Sequence, residues 1–261
     1  MNVGNFPIML YGVIAILGLA MGSFLNSWMW RVHGQKWRLG ERSVCVHCGR
    51  VLGWQENIPL LSFVILKGRC RICAGPIPRS YFLVELATSL LFVAITFLHN
   101  QLPVFNSWHY ARDLFFIIVL IVTFVYDAKY MLVLANLTWS AVAVGLLFNY
   151  FVLRMTVESL LIGMVVGGGF FVAQYAVSKG RWVGGGDVRL GFMIGAWLGW
   201  PLTVVALFFS YVLGALVSIP LLVSKKGTMR SAVPFATFLA VGSAVTLFWG
   251  EAIFEWYLSL L

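Results

Sequence analysis

Charge is what this sequence has least of. Only 10% of its 261 residues are Asp, Glu, Lys or Arg, against roughly 25% in soluble domains. That scarcity excludes a soluble globular protein. Hydrophobic residues make up 61% and the mean hydropathy is +0.92, more than one soluble core could hide. Acids are rarer still, 9 against 18 basic residues, so a carboxylate inside an apolar run is costly and usually functional. No basic stretch is interleaved with a recognition module, which excludes nucleic acid as the expected partner despite a net charge of +9. The first apolar run, about 9–30, has neither a basic leading region nor a small-residue cleavage pattern and ends in Arg31. It is therefore expected to stay as a membrane helix and not to be a removable signal. A glycine-rich nucleotide-binding strand–turn–helix is also missing.

What the sequence does have is apolar length. A membrane-spanning helix needs ~20 mostly apolar residues. On that ruler eight are expected, at about 8–30, 81–98, 113–128, 131–153, 157–178, 187–200, 202–223 and 232–258. The predicted fold class is an all-α polytopic membrane protein, with one large insertion at 31–80. Charge placement follows this topology. The insertion carries Arg31, Lys36, Arg38, Arg42, Arg50, Lys67, Arg69, Arg71 and Arg79. With Lys129, Lys179, Arg181, Arg189, Lys225, Lys226 and Arg230, it puts 16 of the 18 basic residues on one side, leaving Arg112 and Arg154 on the other. That side should be cytoplasmic and both termini should face outward. Such a face also attracts anionic membrane lipid.

All four cysteines lie in the insertion, as Cys45-Val46-His47-Cys48 and Cys70-Arg71-Ile72-Cys73. Two such knuckles supply four thiolates that can close tetrahedrally on zinc, and disulfides are disfavoured in the cytoplasm. Four thiolates leave no open position, so the predicted zinc folds the loop and does not catalyse. Gly49 and Gly75 follow the knuckles, where a tight turn favours glycine, and His33 and His47 read as surface histidines. Glu85, the one acid in the second span, either pairs with Arg79 or a loop arginine or serves as a polar contact for a cationic ligand. In the first span Gly12, Gly18, Ala20, Gly22 and Ser23 offer small surfaces for packing. Asn26 there reads as a buried hydrogen-bonding residue near the inner face, with a substrate contact as the other reading.

Two further acids stand where apolar runs meet basic loops. Asp187 closes Val183-Gly184-Gly185-Gly186-Asp187, a backbone that lets another chain approach closely. Asp127 ends the third run. Both sit at cytoplasmic ends at similar depth, so folding can bring them together. Two neighbouring carboxylates do the chemistry of an aspartic peptidase; two interfacial aspartates paired with Lys129 and Arg189 are the other reading. Gly163, Gly167, Gly168 and Gly169, and separately Gly191, Gly195 and Gly199, form small-residue faces for helix packing. Trp249, Trp256 and Tyr257 are expected interface anchors, and Glu251 and Glu255 solvated acids.

The motifs occur in a telling order: Gly22-Ser23-Phe24-Leu25-Asn26, the paired knuckles, Glu56-Asn57-Ile58-Pro59-Leu60-Leu61-Ser62, Gly68-Arg69-Cys70, Leu83-Val84-Glu85-Leu86, Gly184-x-Gly186-Asp187 and Val233-Pro234-Phe235. In this the chain resembles the bifunctional type IV prepilin peptidases (leader peptidase/N-methyltransferases). The resemblance implies that Asp127 and Asp187 cleave the basic leader from prepilins or pseudopilins at the cytoplasmic face of a bacterial inner membrane. It also implies S-adenosylmethionine-dependent methylation of the new amine, with Glu56, Asn57 and Glu85 as candidate residues. The domains implied are a first span at 1–30, a zinc-binding and methyltransferase loop at 31–80, and a seven-helix peptidase region at 81–261. A peptidase without methylation and a non-enzymatic zinc-loop scaffold are the rivals. The chain departs from the family at Met131–Asn136, where a proline is usual, at Arg189 for lysine, and at Ala236-Thr237 for Gly-Pro.

Overall fold

A computed structural model describes residues 6–34, 42–102, 104–223 and 234–260. Lys36, Arg38, Lys225, Lys226 and Arg230 of the charge pattern, and Val233 of the last motif, lie outside the described residues. Among those described there are ten α-helices and no strand, only two isolated bridges in the insertion. The chain divides into two compact units, Met1–Asn106 and Ser107–Leu261. The helix expected at 81–98 falls in the first of them, with the first helix.

In the first unit, α1 (Ile8–His33) packs along α3 (Arg79–Gln101). Gly18 and Gly22 lie one turn apart on α1 and meet the α3 backbone. A Cβ at either would stand 2.6 Å from Ser89 Cα or 2.7 Å from Glu85 Cα. Only small residues let two backbones come this close, and Ser89 Oγ uses the approach to donate to Ala15 O across 2.9 Å. Pro78 precedes α3, where it fixes the entry and gives up no helical hydrogen bond. Between the two long helices lie a 3-10 turn, Trp54–Asn57, and the short α2 (Leu61–Ile65), which leaves Leu61, Val64 and Ile65 exposed.

The second unit contains α4 (Ser107–Tyr130), α5 (Ala135–Leu147), α6 (Val157–Met164), α7 (Phe170–Ser178), α8 (Gly185–Leu198), α9 (Leu202–Val223) and α10 (Phe235–Leu258). A π-helical turn, Phe148–Val152, prolongs α5, and another, Val165–Gly169, joins α6 to α7. The second carries three glycines, the residues that hold regular helix least well. Its wide turn lays backbone directly on α8: a Cβ at Gly167 would stand 2.4 Å from Gly191 O, and one at Gly195 2.3 Å from Gly163 O. The two glycine faces read from the sequence therefore meet each other.

α8 is the buried centre of this unit. Trp197 is 2% exposed and stacks on Phe116 and Phe115, with ring centroids 4.9 and 5.6 Å away. Its indole N–H donates to Ala141 O at 2.8 Å, and Asn149 Nδ2 donates to the carbonyls of Ala196 and Trp197. Polar atoms this deep need such partners. α8 ends at Gly199, whose φ of +66° suits glycine, just before Pro201.

Among the described residues six helices are long and apolar enough to cross a membrane: Ile8–His33, Arg79–Gln101, Ala135–Val152, Val157–Ser178, Leu202–Pro220 and Phe235–Leu258. Helical segments cover the other two expected stretches with altered bounds. The third begins at Ser107, six residues earlier than expected, because Arg112 and Asp113 mask its start in sequence while pairing with each other at 2.7 Å. α8 has 14 residues, about 21 Å of helix against a hydrocarbon core of about 30 Å. The chain is a multi-pass membrane protein with six such helices among the described residues, and a count of eight does not follow from their lengths.

Candidate functional site

Asp127 lies in the last turn of α4 and is 5% exposed. Its Oδ2 accepts a hydrogen bond from the Thr237 amide at 3.1 Å, and the amide of Ala236 also bears on it. These N–H groups belong to the first turn of α10, which begins after Pro234; the Thr237 amide also reaches Pro234 O at 3.3 Å, so it is shared between that carbonyl and the carboxylate. The carboxylate thus caps a helix 110 residues away in sequence. A proline at 237 would have no amide hydrogen to give, so this contact depends on the residue there keeping its N–H.

Asp187 sits in the first turn of α8, half-buried, and its Oδ2 accepts from the Gly184 amide at 3.2 Å. Both acids are therefore placed at helix N-termini, where amide dipoles favour negative charge. Neither makes the ion pair considered from the sequence: Arg189 instead donates to Val133 O at 3.4 Å. The segment after Asp127 folds onto the glycine turn, and a Cβ at Gly186 would stand 2.9 Å from Val133 Cβ. A Cβ at Gly185 would meet nothing within 4 Å, so the glycine turn two residues before Asp187 is open at that point.

One neighbour was not read from the sequence. The Tyr211 phenol on α9 lies within the electrostatic reach of Asp187 and is held at 3.0 Å by Gln174 Nε2 of α7. Gln174 carried the available signal, being a polar residue inside an apolar span.

The first unit holds the four cysteines. Their sulfurs all lie within 4.8 Å of one another, and those of Cys45 and Cys73 are 3.9 Å apart. Tetrahedral ligation at a Zn–S distance of about 2.3 Å sets sulfurs about 3.8 Å apart. The cluster can hold a metal ion, and the four thiols are free of disulfides. Both knuckles fold alike: Gly49 N donates to Cys45 O at 2.9 Å and Ala74 N to Cys70 O at 3.0 Å. Amides of Cys73 and Ile72 lower the Cys70 thiol, towards the thiolate a metal binds, whereas at Cys73 the lowering by the Gly75 amide is outweighed by burial and the neighbouring thiols, which raise it. The expected glycine turn holds at Gly49 (φ +71°), whereas in the second knuckle Ala74 takes the left-handed position. Gly75 is needed for a different reason, since a Cβ there would stand 2.8 Å from the His47 ring. His47 is exposed and its Nε2 lies 2.9 Å from Pro76 O, outside the cysteine cluster.

Glu56, Asn57 and Glu85 line one cavity of this unit, together with Asn26. Glu56 is committed to structure: both its oxygens pair with Arg50, and Oε2 also accepts from Gly53 N at 2.9 Å. The Arg50 guanidinium, then the Gly53 amide, hold its carboxyl below the usual carboxylate range. Asn57 is exposed. Glu85 is buried and accepts from Leu60 N at 2.8 Å, so its partner is a backbone amide where an arginine was one expectation.

Two family models match the chain: Bacterial Peptidase A24 N-terminal domain over residues 16–99, and Type IV leader peptidase family over residues 114–219. Curated relatives named prepilin leader peptidase/N-methyltransferase align along nearly its whole length. The one from Aeromonas hydrophila is 30% identical over 98% of this chain and 96% of its own. Those from Pseudomonas putida and Bacillus subtilis (strain 168) are also 30% identical, over 94% and 95% of this chain and 93% and 98% of their own. No solved structure matches.

Proposed function

This chain belongs to the type IV leader peptidase family, and from that premise we propose that it is a membrane aspartic endopeptidase with Asp127 and Asp187 as its catalytic pair. It removes the basic leader of type IV prepilin-like proteins and methylates the amine that the cut exposes. The observation that carries this reading is the meeting of the two acids' surroundings: Asp127 on the amides of α10, and Val133, just beyond it, on Gly186 beside Asp187.

Two carboxylates brought together over one substrate bond do not both ionise cheaply, so in this reading the pair holds one proton. One carboxylate takes a proton from water, and the water oxygen attacks the scissile carbonyl carbon. The protonated partner gives its proton to the carbonyl oxygen, and the departing nitrogen is protonated as the C–N bond breaks. The open space at Gly185 admits an extended substrate backbone beside Asp187. The distribution of Lys and Arg supports an inner-membrane topology with the knuckle loop and active site cytoplasmic and both termini outside. Relatives whose names carry both activities align along almost all of the chain, which favours two activities over a peptidase alone or a scaffold. S-adenosylmethionine supplies the methyl group when bound, and this chain's part is to hold it near the exposed amine.

Incubating the purified, detergent-solubilised chain with a prepilin and S-adenosylmethionine tests this reading. Mass spectrometry is expected to find pilin shortened by its leader and carrying one methyl group at the new N-terminus. Uncut prepilin would refute the peptidase assignment, and cut but unmethylated pilin the methyltransferase one.

The cysteine cluster is assigned to structural zinc. Elemental analysis of the purified chain is expected to give one zinc per molecule. Cys45→Ser and Cys70→Ser should each reduce it below half and make residues 42–78 more susceptible to protease, because the metal's binding energy is folding energy for such a loop. A wild-type chain without zinc would reject the assignment.

A further inference from the structure

The short helix α2 is apolar on both of its faces. Phe63 and Leu66 turn inward and line the cavity of the first unit, where Phe63 meets Phe82 of α3 with ring centroids 5.4 Å apart. Leu61, Val64 and Ile65 share the other face, at helical spacings of three and four, and are 50%, 62% and 67% exposed. Three large aliphatic side chains presented together on a helix of 5 residues mark a surface that something apolar covers. Trp54, in the 3-10 turn that touches α2, is exposed as well.

The depth of α2 says what covers it. Leu60 N, at its start, donates to Glu85 Oε2 at 2.8 Å. Glu85 stands six residues inside α3 from Arg79, about 9 Å of helix, and Phe82 three residues inside. Helical side chains lean towards the N-terminus, so α2 is held beside the first two turns of a membrane-crossing helix and not beyond its end. Leu83, on those same turns, is exposed as a lipid-facing residue is. The charges agree. Between 42 and 102 the only acids are Glu56, paired with Arg50, and Glu85, which is buried. Lys67, Arg69 and Arg79 are exposed, and among the described residues none has an acid partner. Lys67 follows α2 directly, at a left-handed turn with φ of +50°. An apolar face at the headgroup–acyl boundary with cations at its end is the pattern of a helix lying in the membrane interface. We propose that α2 anchors the knuckle loop in the membrane: Leu61, Val64 and Ile65 enter the acyl layer, and Lys67 and Arg69 engage the phosphates of anionic lipid. The anchor holds the loop down on the leaflet that α1 and α3 cross at this end, and it depends on neither enzymatic reading above.

Electron paramagnetic resonance on the full chain, reconstituted in vesicles of phosphatidylcholine and phosphatidylglycerol, tests this. A nitroxide coupled to p-acetylphenylalanine at position 64 spares the cysteines, and the same label at position 83 is the lipid-facing reference. Zinc content equal to that of the unlabelled chain shows that the loop is folded. At position 64, collisions with oxygen, which concentrates among acyl chains, are expected to exceed those with a neutral, water-confined nickel complex at least about 3-fold. Omitting phosphatidylglycerol, or introducing Lys67→Gln/Arg69→Gln in its presence, is expected to raise the nickel collisions about 3-fold, since each cation near an anionic surface adds to binding. Nickel collisions outnumbering those of oxygen in the starting vesicles would put the face in water. Few collisions with either would put a second copy or another protein on it, and each of these results overturns the anchor. A depth unchanged by both the lipid and the charge substitutions would overturn the phosphate contacts.

Discussion

Asp127→Asn and Asp187→Asn are each expected to lower prepilin cleavage about 10³-fold or more, with helical content and zinc unchanged. The substitution keeps shape and hydrogen-bond acceptor but removes the proton-carrying oxygen. In Asp127→Asn the amide oxygen can still accept from Thr237 N–H, so the junction of α4 with α10 survives. In Asp187→Asn the same holds for the Gly184 amide at the start of α8. What disappears is the shared proton, since neither a water nor a leaving amine can exchange one with a carboxamide. Because the two acids act as one unit, the double variant should be no slower than the worse single one. Quantifying mature pilin by mass spectrometry checks this. Normal cleavage by either single variant would remove that residue from the dyad.

Gly191→Ile is expected to lower cleavage at least about 100-fold with both acids intact. A Cβ at 191 would stand 2.4 Å from Gly167 O and 2.6 Å from Phe171 Cδ2. The first neighbour is backbone and cannot rotate away, so α8 must shift from the Val165–Gly169 turn. Overpacking of this kind costs about 1–3 kcal/mol or more. Asp187 rides one turn before Gly191 on the same helix, and a displacement of about 1 Å at a catalytic group can cost about 100-fold. Gly12→Ala, whose Cβ would meet nothing within 4 Å, is the matched control and should cleave normally. Equal activities for the two variants would show that the glycine seam does not position the dyad.

Parts of this architecture are plain in the sequence because they depend on local chemistry. Two C-x-x-C pairs predict four converging sulfurs, and long apolar runs predict helices. Glycines four residues apart at 163 and 167 and at 191 and 195 predict close-packed faces; that these two faces pack on each other is a tertiary fact with no local trace. The same distinction explains the differences. The start of α4 is hidden by Arg112 and Asp113, which look like loop residues until they pair. The left-handed turn of the second knuckle falls on Ala74, because Gly75 is reserved for the approach of His47. The hold on Asp127 comes from backbone amides at 236 and 237, and no side-chain pattern announces a backbone donor. Asn26 reads as ordinary buried polarity until its oxygen is found without a donor. Glu56, prominent in its motif, is instead closed off by Arg50.

Convergence of residues 127 and 187 is the point on which proteolysis depends, and it can be measured directly. The double variant Asp127→Cys/Asp187→Cys, treated in its solubilised full-length form with a short bis-methanethiosulfonate and digested, should yield a linked peptide pair joining those two positions. A second variant, Asp127→Cys/Glu255→Cys, should yield none, because Glu255 stands near the far end of α10 from the Thr237 amide that meets Asp127. Absence of the 127–187 linkage, with both thiols shown to be accessible to the single-ended reagent, would contradict a shared catalytic site.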